Sequence, residues 1–380
     1  MKMNRTLMTF LTVSLMSLNL QANAATLLVG GYTQGTNEGL YRYAFDSRTG
    51  LIDPQALQVI KTPNPSWLVM SEDQRLLFAV NEVGDGEGSV SSFSLDERGV
   101  LAPLNGVPSL GDEPTHASLS QDQRYLLVAN YSADHVPGGS LVAVPVGRDG
   151  TLAPVTQQHR HAPSQVDRER QLGPHVHSAV FSPDGLYLYA SDLGADKVFI
   201  YHYDSANPGQ PLRPAQPAAV SLPPGSGPRH LAFDATGEHA YLTLEMSGEV
   251  VMFDVADGQL VERQRLPLTP RHESEAKAAG GLHLSPDGRF LYVSNRGTSN
   301  EIVVFAVAPD TGQLKALQHR DSEGREPREF RIDPSGDFLL VANQKSDRIV
   351  VMKRDPRSGL LGETVQVLEH GAPSDFAFVR

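Results

Sequence analysis

Short apolar runs alternate with polar turns along this chain, and the alternation repeats. A phrase opens on Ser or Asp, passes through a polar turn and ends in an apolar run. It starts at Ser71 (SEDQRLLFAVNE), Ser120 (SQDQRYLLVANY), Ser182 (SPDGLYLYASDL), Asp234 (DATGEHAYLTLE), Ser285 (SPDGRFLYVSNR) and Asp333 (DPSGDFLLVANQ). The starts lie about fifty residues apart, the spacing of propeller blades. A short apolar run precedes each phrase, as at Trp67–Met70, Ala179–Phe181 and Leu231–Phe233. Alternating strands such as VVMFDV from Val250 and IVVFAV from Ile302 follow it, then a turn at Asp257-Gly258 or Thr311-Gly312 and a weaker strand. Period-two alternation with Asp/Gly turns predicts antiparallel hairpins. Four strands per repeat make one blade, and a blade buries its faces only by stacking on neighbours.

Six repeats are complete. Residues 26–60 supply three strands with no inner strand before them, and the chain ends on APSDFAFVR from Ala372, an inner strand with nothing after it. Joining the two predicts an all-β, seven-bladed β-propeller of four-stranded antiparallel blades over residues 25–380. A C-terminal inner strand closes the ring and removes the open edges.

Register then locates a candidate site. An inner strand begins on the face where the second strand of its blade ends. Five residues before each phrase stand Ser66, Thr115, His177, Arg229, Gly280 and Arg328; eleven after its start stand Glu82, Tyr131, Leu193, Glu245, Arg296 and Gln344. One step earlier come Asn81, Asn130, Asp192, Leu244, Asn295 and Asn343. These positions meet at one mouth of the channel, where a regular repeat turns ionisable. Surface Arg–Glu pairs are commonly worth only about 0–1 kcal/mol, and Asn at strand ends commonly satisfies backbone groups; the concentration of His, Arg and Glu at one ring favours a site. His175 and His177 stand two apart, which aims both at one face, but no third ligand follows at metal spacing, so no metal or cofactor is expected. His116, His230 and His283 on other inner strands read as hydrogen-bonded core groups.

Composition narrows the function. A formal net charge of −12 argues against nucleic acid as a partner. Lys2 and Arg5, an apolar run from Leu7 to Leu20 and Ala22-Asn23-Ala24 match an export signal over residues 1–24, with the mature chain beginning near Ala25 in the periplasm or outside the cell. The absence of Cys removes disulfides and thiol-linked lipid anchors, and no other segment is apolar enough for a span. Nothing in the pattern specifies an oligomer. Two polar inserts, Gln157–Leu172 and Thr269–Ala279, are expected to overhang the mouth. The first carries His159, Arg160, His161, Arg168 and Arg170, and two readings stand side by side: contact with an anionic substrate, or a disordered solvated loop.

The strings GPHVHSAVFSPDG, SDLGADKVFIY, GPRHLAF, YLTLE, LSPDGRFLYVSNRG and EPREFRI resemble the seven-bladed propeller lactonase family, which includes bacterial 6-phosphogluconolactonases and fungal carboxymuconate lactonising enzymes. The resemblance covers about 25–380. It implies a metal-independent site at the channel mouth with His177, Arg229, Glu245 and Arg296 as catalytic residues, and a small-molecule lactone or sugar acid as partner. His175, Arg328, Glu82, Asn130, Tyr131, Asp192, Asn295 and Gln344 are the candidate substrate contacts. In this reading the arginines stabilise the oxyanion formed as water adds to a lactone. His177 serves as acid or base, and Glu245 takes the other role or orients an arginine. No Gly-x-Ser-x-Gly elbow is present to support an acyl-enzyme. The rival readings are a binding propeller without catalysis and a muconate-type cycloisomerase.

Overall fold

The computed structural model describes residues 24–133, 139–269 and 278–379. Seven antiparallel sheets stand around one axis. Their inner strands are Pro65–Met70, Asp112–Leu119, Val176–Phe181, Pro228–Phe233, Ala279–Leu284, Pro327–Ile332 and Pro373–Val379. Each touches the next, and Pro373–Val379 touches both Pro65–Met70 and Pro327–Ile332, so the circle is complete. The last blade is composite, as expected. Pro373–Val379 pairs antiparallel with Ala24–Gly31, from Thr26↔Val379 to Gly31↔Pro373. Gly39–Asp46 follows, and its outer partner comes in two pieces, Leu51–Ile52 and Gln58–Lys61. Among the described residues the only helical turn is Gln344–Ser346, and no helix is long and apolar enough to cross a membrane. The predicted export signal, save Ala24, and residues 270–277 of the second insert lie outside the described residues.

The recurring phrase has a local cause. Ser71 Oγ donates to Asp73 and accepts from the Leu76 amide at 2.9 Å, which ties the turn between inner and second strand. Ser120, Ser182 and Ser285 repeat the arrangement. Asp234 and Asp333 replace the hydroxyl with a carboxylate, accepting from the amides of His239 and Phe338. Such side-chain–backbone bonds favour turns over continued strand. The turn needs one left-handed residue, which is Gly185, Gly237, Gly288 or Gly336 in four blades and Gln74 or Gln123 (φ 58° each) in two.

The cores lie between blades. Leu27, Val29, Phe45 and Phe376 of the composite blade pack on Phe338, Leu340, Ile349 and Val351 of the blade before it. Leu28 and Leu40 pack on Leu68, Leu77 and Phe93 of the blade after it. Both strands of the junction are thus held by burial on two sides as well as by the ladder. Phe376 is fully buried, so Phe376→Ala is expected to cost about 3–5 kcal/mol. Equilibrium urea unfolding checks this, and a loss under 1 kcal/mol would show that the closing strand is not held by its core.

Candidate active site at the channel mouth

The backbone positions the mouth residues before their side chains meet. In five blades the residue at the end of the second strand donates its amide to a carbonyl just before the inner strand. The pairs are Glu82 to Asn64, Leu193 to His175, Glu245 to Gly227, Arg296 to Ala278 and Gln344 to Glu326, at 2.7 to 3.0 Å. Tyr32 makes the same bond to Ala372 at 3.0 Å across the composite blade. All seven inner strands also carry a bulge at this end, between Pro65/Trp67, Pro114/His116, Val176/Ser178, Pro228/Leu231, Ala279/Leu282, Pro327/Glu329 and Pro373/Asp375. A bulge lets neighbouring residues escape strict alternation. Arg229 and His230 use this to stack, with Arg229 Nη1 3.3 Å from both ring nitrogens of His230.

Glu245 is the hub. Its Oε2 lies 3.1 Å from Arg229 Nε and 2.8 Å from Arg296 Nη2, and its Oε1 accepts from Arg170 Nη2 at 2.7 Å. Burial opposes its charge, but Arg296 and Arg229, then Arg170, outweigh burial and hold its carboxyl down at about 2. Arg229, 1% exposed, is pushed down to about 9 by burial and by Arg296, which leaves it cationic at neutral pH. Arg296 is gripped by a second carboxylate, Nη1 to Glu326 Oε1 at 2.9 Å. Across the opening Arg328 Nη2 lies 3.2 Å from Glu82 Oε2 and 3.5 Å from Thr115 Oγ1. Its guanidinium stands 5.1 Å over the Tyr32 ring, and Ser66 Oγ donates to Glu82.

His177 stands between these groups. Its ring lies edge-on to Tyr131 at 5.7 Å and to His230 at 5.2 Å. Its Nδ1 is buried with no hydrogen-bond partner among the described residues. Burial and the neighbouring Arg229 and His230 hold its pKa well below the ordinary imidazole value, so it is neutral at pH 7. His175 stacks on Tyr131 at 4.5 Å and bonds through Nδ1 to the Tyr131 carbonyl. Below the mouth, His283 Nε2 lies 2.8 Å and His230 Nδ1 3.5 Å from the buried Glu329 carboxylate, and His116 Nδ1 accepts the Ala179 amide at 3.3 Å. These three histidines are bonded core groups, as the sequence suggests, and His230 also forms the floor beneath Arg229. Gly281 is required here, since a Cβ would stand 2.2 Å from Glu329 Oε1.

The structure therefore gathers His177, Arg229, Glu245, Arg296, Arg328, Glu82 and Tyr131 at one opening, with His175 beside Tyr131. It removes three other candidates. Asn130 is buried, with its Nδ2 donating to the carbonyls of Ser109 and Gly139. Asn295 is buried on Glu301 and Thr269. Asp192 is buried, accepting from the amides of His175 and Ala195 and lying 2.8 Å from His161 Nδ1. All three stand one residue before the mouth position, Asp192 and Asn295 at the ends of their second strands and Asn130 within Tyr125–Ser132, where alternation turns the side chain back into the blade. Gln344 opens the helical turn, and its amide bond to Glu326 connects it to the Arg296 pair only indirectly. The first insert also needs correcting: Gln157–His159 is the outer strand of its blade, so the loop begins at residue 160. His159 packs on Tyr201 and His161 is buried; of the insert's basic residues, Arg170 reaches Glu245.

Sequence reasoning missed Glu326 and Tyr32 as mouth residues. Tyr32 is the seventh member of the mouth set, hidden because its blade is divided between the chain ends. Glu326 stands seven residues before its phrase, in register with Asn64, Glu113 and Gly227, all with positive φ; extending the register two residues outward would have found it. Among the described residues no three His, Asp or Glu side chains are placed to hold a metal.

The closed ring of seven four-stranded blades, with a basic and acidic cluster at one mouth, makes the protein a seven-bladed β-propeller. The family described as lactonase, 7-bladed beta-propeller, matches residues 26–378, and the chain belongs to it. A 6-phosphogluconolactonase of Bacillus subtilis is 32% identical over 345 residues, 89% of this chain and 95% of that protein. The solved periplasmic gluconolactonase of Pseudomonas aeruginosa superposes with a TM-score of 0.91 at 49% identity, over 94% of this chain and 99% of that one. A putative 6-phosphogluconolactonase of Bacteroides fragilis gives 0.86 at 35%, over 94% and 99%. The protein is thus an enzyme of the lactonase class.

The ion-pair hub carries a stability consequence. Glu245 is depressed from 4.5 to about 2. Its ionised form therefore stabilises the fold in full above about pH 4.5, and this contribution is lost as the pH falls towards 2. The shift corresponds to roughly 3 kcal/mol. Glu245→Gln is expected to lower unfolding free energy by about that amount at pH 7, because Arg229 is left buried without its counterion. Urea titrations at pH 7 and pH 3 should show the deficit shrinking at the lower pH; a pH-independent deficit would place the loss in packing.

Proposed function

We propose that this protein is an exported hydrolase of sugar-acid lactones, acting at the mouth that Glu245 organises. The observation that carries the reading is the juxtaposition of Arg229 and Arg296 on one carboxylate with a neutral His177 whose Nδ1 has no hydrogen-bond partner among the described residues. An ester carbonyl gains negative charge as water adds, and fixed cations in a dry site stabilise that charge. Water attacks the carbonyl carbon and passes a proton to His177. The oxyanion rests against Arg229 and Arg296. As it collapses, the bond to the ring oxygen breaks and His177 returns the proton to that oxygen, which yields the open hydroxy acid. Glu245, held near pKa 2, is a weak base, so its role here is to space and align the guanidiniums. Export is supported by the leader-like pattern of residues 1–24 and by the periplasmic neighbour.

Acid release from aldonolactones tests the chemistry. His177→Ala, Arg229→Ala and Arg296→Ala are each expected to lower turnover by ~10²-fold or more. Because His177 and Glu245 both titrate well below their ordinary values, kcat/KM should stay level from pH 8 down through the ordinary imidazole range. An ordinary imidazole would instead halve the rate near 6.5. Saturable ligand binding with no acid released from any lactone would favour a binding propeller. N-terminal sequencing of the protein from the periplasmic fraction is expected to begin near Ala25, and an intact Met1 would overturn export.

A further inference from the structure

The lactonase reading leaves the far end of the substrate without a partner, and one residue of the mouth is placed to supply it. The loop between Gln157–His159 and Val176–Phe181 is fixed at both ends. His161 is buried with Nδ1 2.8 Å from Asp192 and Nε2 2.8 Å from the Tyr201 hydroxyl, and its ring stacks on Phe199. Gln171 is fully buried; its Nε2 donates to the Leu193 carbonyl at 2.8 Å and its Oε1 accepts the Asp167 amide at 3.1 Å. Between these anchors Asp167 Oδ1 accepts the amides of Glu169 and Arg170 at 2.8 and 2.9 Å. The backbone of Arg170 is therefore held, and its side chain projects over the opening.

Only one corner of that guanidinium is engaged. Arg170 Nη2 donates to Glu245 Oε1 at 2.7 Å and to the Tyr131 hydroxyl at 3.1 Å. Among the described residues its Nε and Nη1 have no hydrogen-bond partner, and the side chain is 43% exposed. The other mouth arginines differ. Arg229 is 1% exposed and Arg296 7%, with all three nitrogens of Arg296 engaged. Arg328 is 15% exposed and spends Nη2 on Glu82. The cluster is also short of negative charge, since three guanidiniums (Arg170, Arg229, Arg296) face two carboxylates (Glu245, Glu326). The free Nε–H and Nη1–H groups lie on opposite flanks of the guanidinium, so each can donate singly to an oxygen of a carboxylate or phosphate, and the exposed positive charge attracts the anion.

We propose that Arg170 is the specificity residue for an anionic tail: its free Nη1 donates to a carboxylate or phosphate on the exocyclic carbon of a sugar lactone, while Nη2 stays on Glu245. Resting on the hydrolase reading, this orients the lactone with its carbonyl towards Arg229 and Arg296 and its tail towards the loop. Arg170 then acts as a recognition residue that also steadies the hub.

Calorimetric titration with the product acids separates this from turnover. Gluconate has a neutral tail, glucarate a carboxylate tail and 6-phosphogluconate a phosphate tail. The native protein is expected to bind at least one tailed acid about tenfold or more tighter than gluconate, and the tighter of the two identifies the anion. Arg170→Met should remove most of that preference. Arg168→Met, which deletes the same charge from an exposed position on the same loop, should keep it. Equal affinity for all three acids, a preference that survives Arg170→Met, or one lost equally in Arg168→Met would each overturn the assignment. Because binding is read without catalysis, a protein that hydrolyses no lactone still reports on Arg170. Lactone hydrolysis with no tail preference would remove Arg170 alone.

Discussion

The pairing of Pro373–Val379 with Ala24–Gly31 is the constraint on which everything else rests. A propeller blade has two apolar faces, and neither can be buried within the blade. Seven blades in a row would still leave two faces and two strand edges open to water. Zipping the last strand of the chain against the first converts the row into a circle, so that every face meets another and every inner strand has two neighbours. The clusters on either side of this composite blade are built from the same alternating Leu, Val and Phe positions as the others, so the junction is sealed like any other interface in the ring.

Closure also sets up the site. Inner strands that converge on an axis bring residues far apart in sequence to one opening: Arg328 reaches Glu82 across 246 positions. The charges are not simply crowded there. Glu245 draws together arginines from an inner strand, the end of a second strand and a loop, and each guanidinium is held by at least one carboxylate. Desolvating such charges is costly unless they are paired, so the ion pairs that keep the mouth stable are the same ones that keep its cations aimed. Neutral His177 amid this positive field follows from the same arrangement, because burial and Arg229 both disfavour its protonation.

Much of this was legible in the residues. The repeated phrase encodes its own turn, since a Ser or Asp side chain bonds the strand that follows, and a turn with that chemistry announces itself in one sequence. Counting from it placed His177, Arg229, Glu245, Arg296, Arg328, Glu82 and Tyr131 at one mouth. The same counting erred for Asn130, Asn295 and Asp192. A residue next to the mouth in sequence faces into the blade, and polar residues there cap carbonyls, bond a carboxylate or hold a buried histidine. Type alone does not distinguish an Asn that binds backbone from one that meets substrate.

The sequence by itself determined the number of blades, the closing strand and the register of the mouth, because period-two alternation and turn chemistry are local and repeat. Only the tertiary structure decided which partner each charge takes. Arg170 finds Glu245 75 residues away, Glu326 finds Arg296 30 residues away, and Tyr32 joins the mouth from the divided blade. Those choices depend on the direction in which each loop leaves its blade and on bulges that turn side chains towards the axis. A linear pattern carries neither, because both are fixed by packing against neighbouring blades.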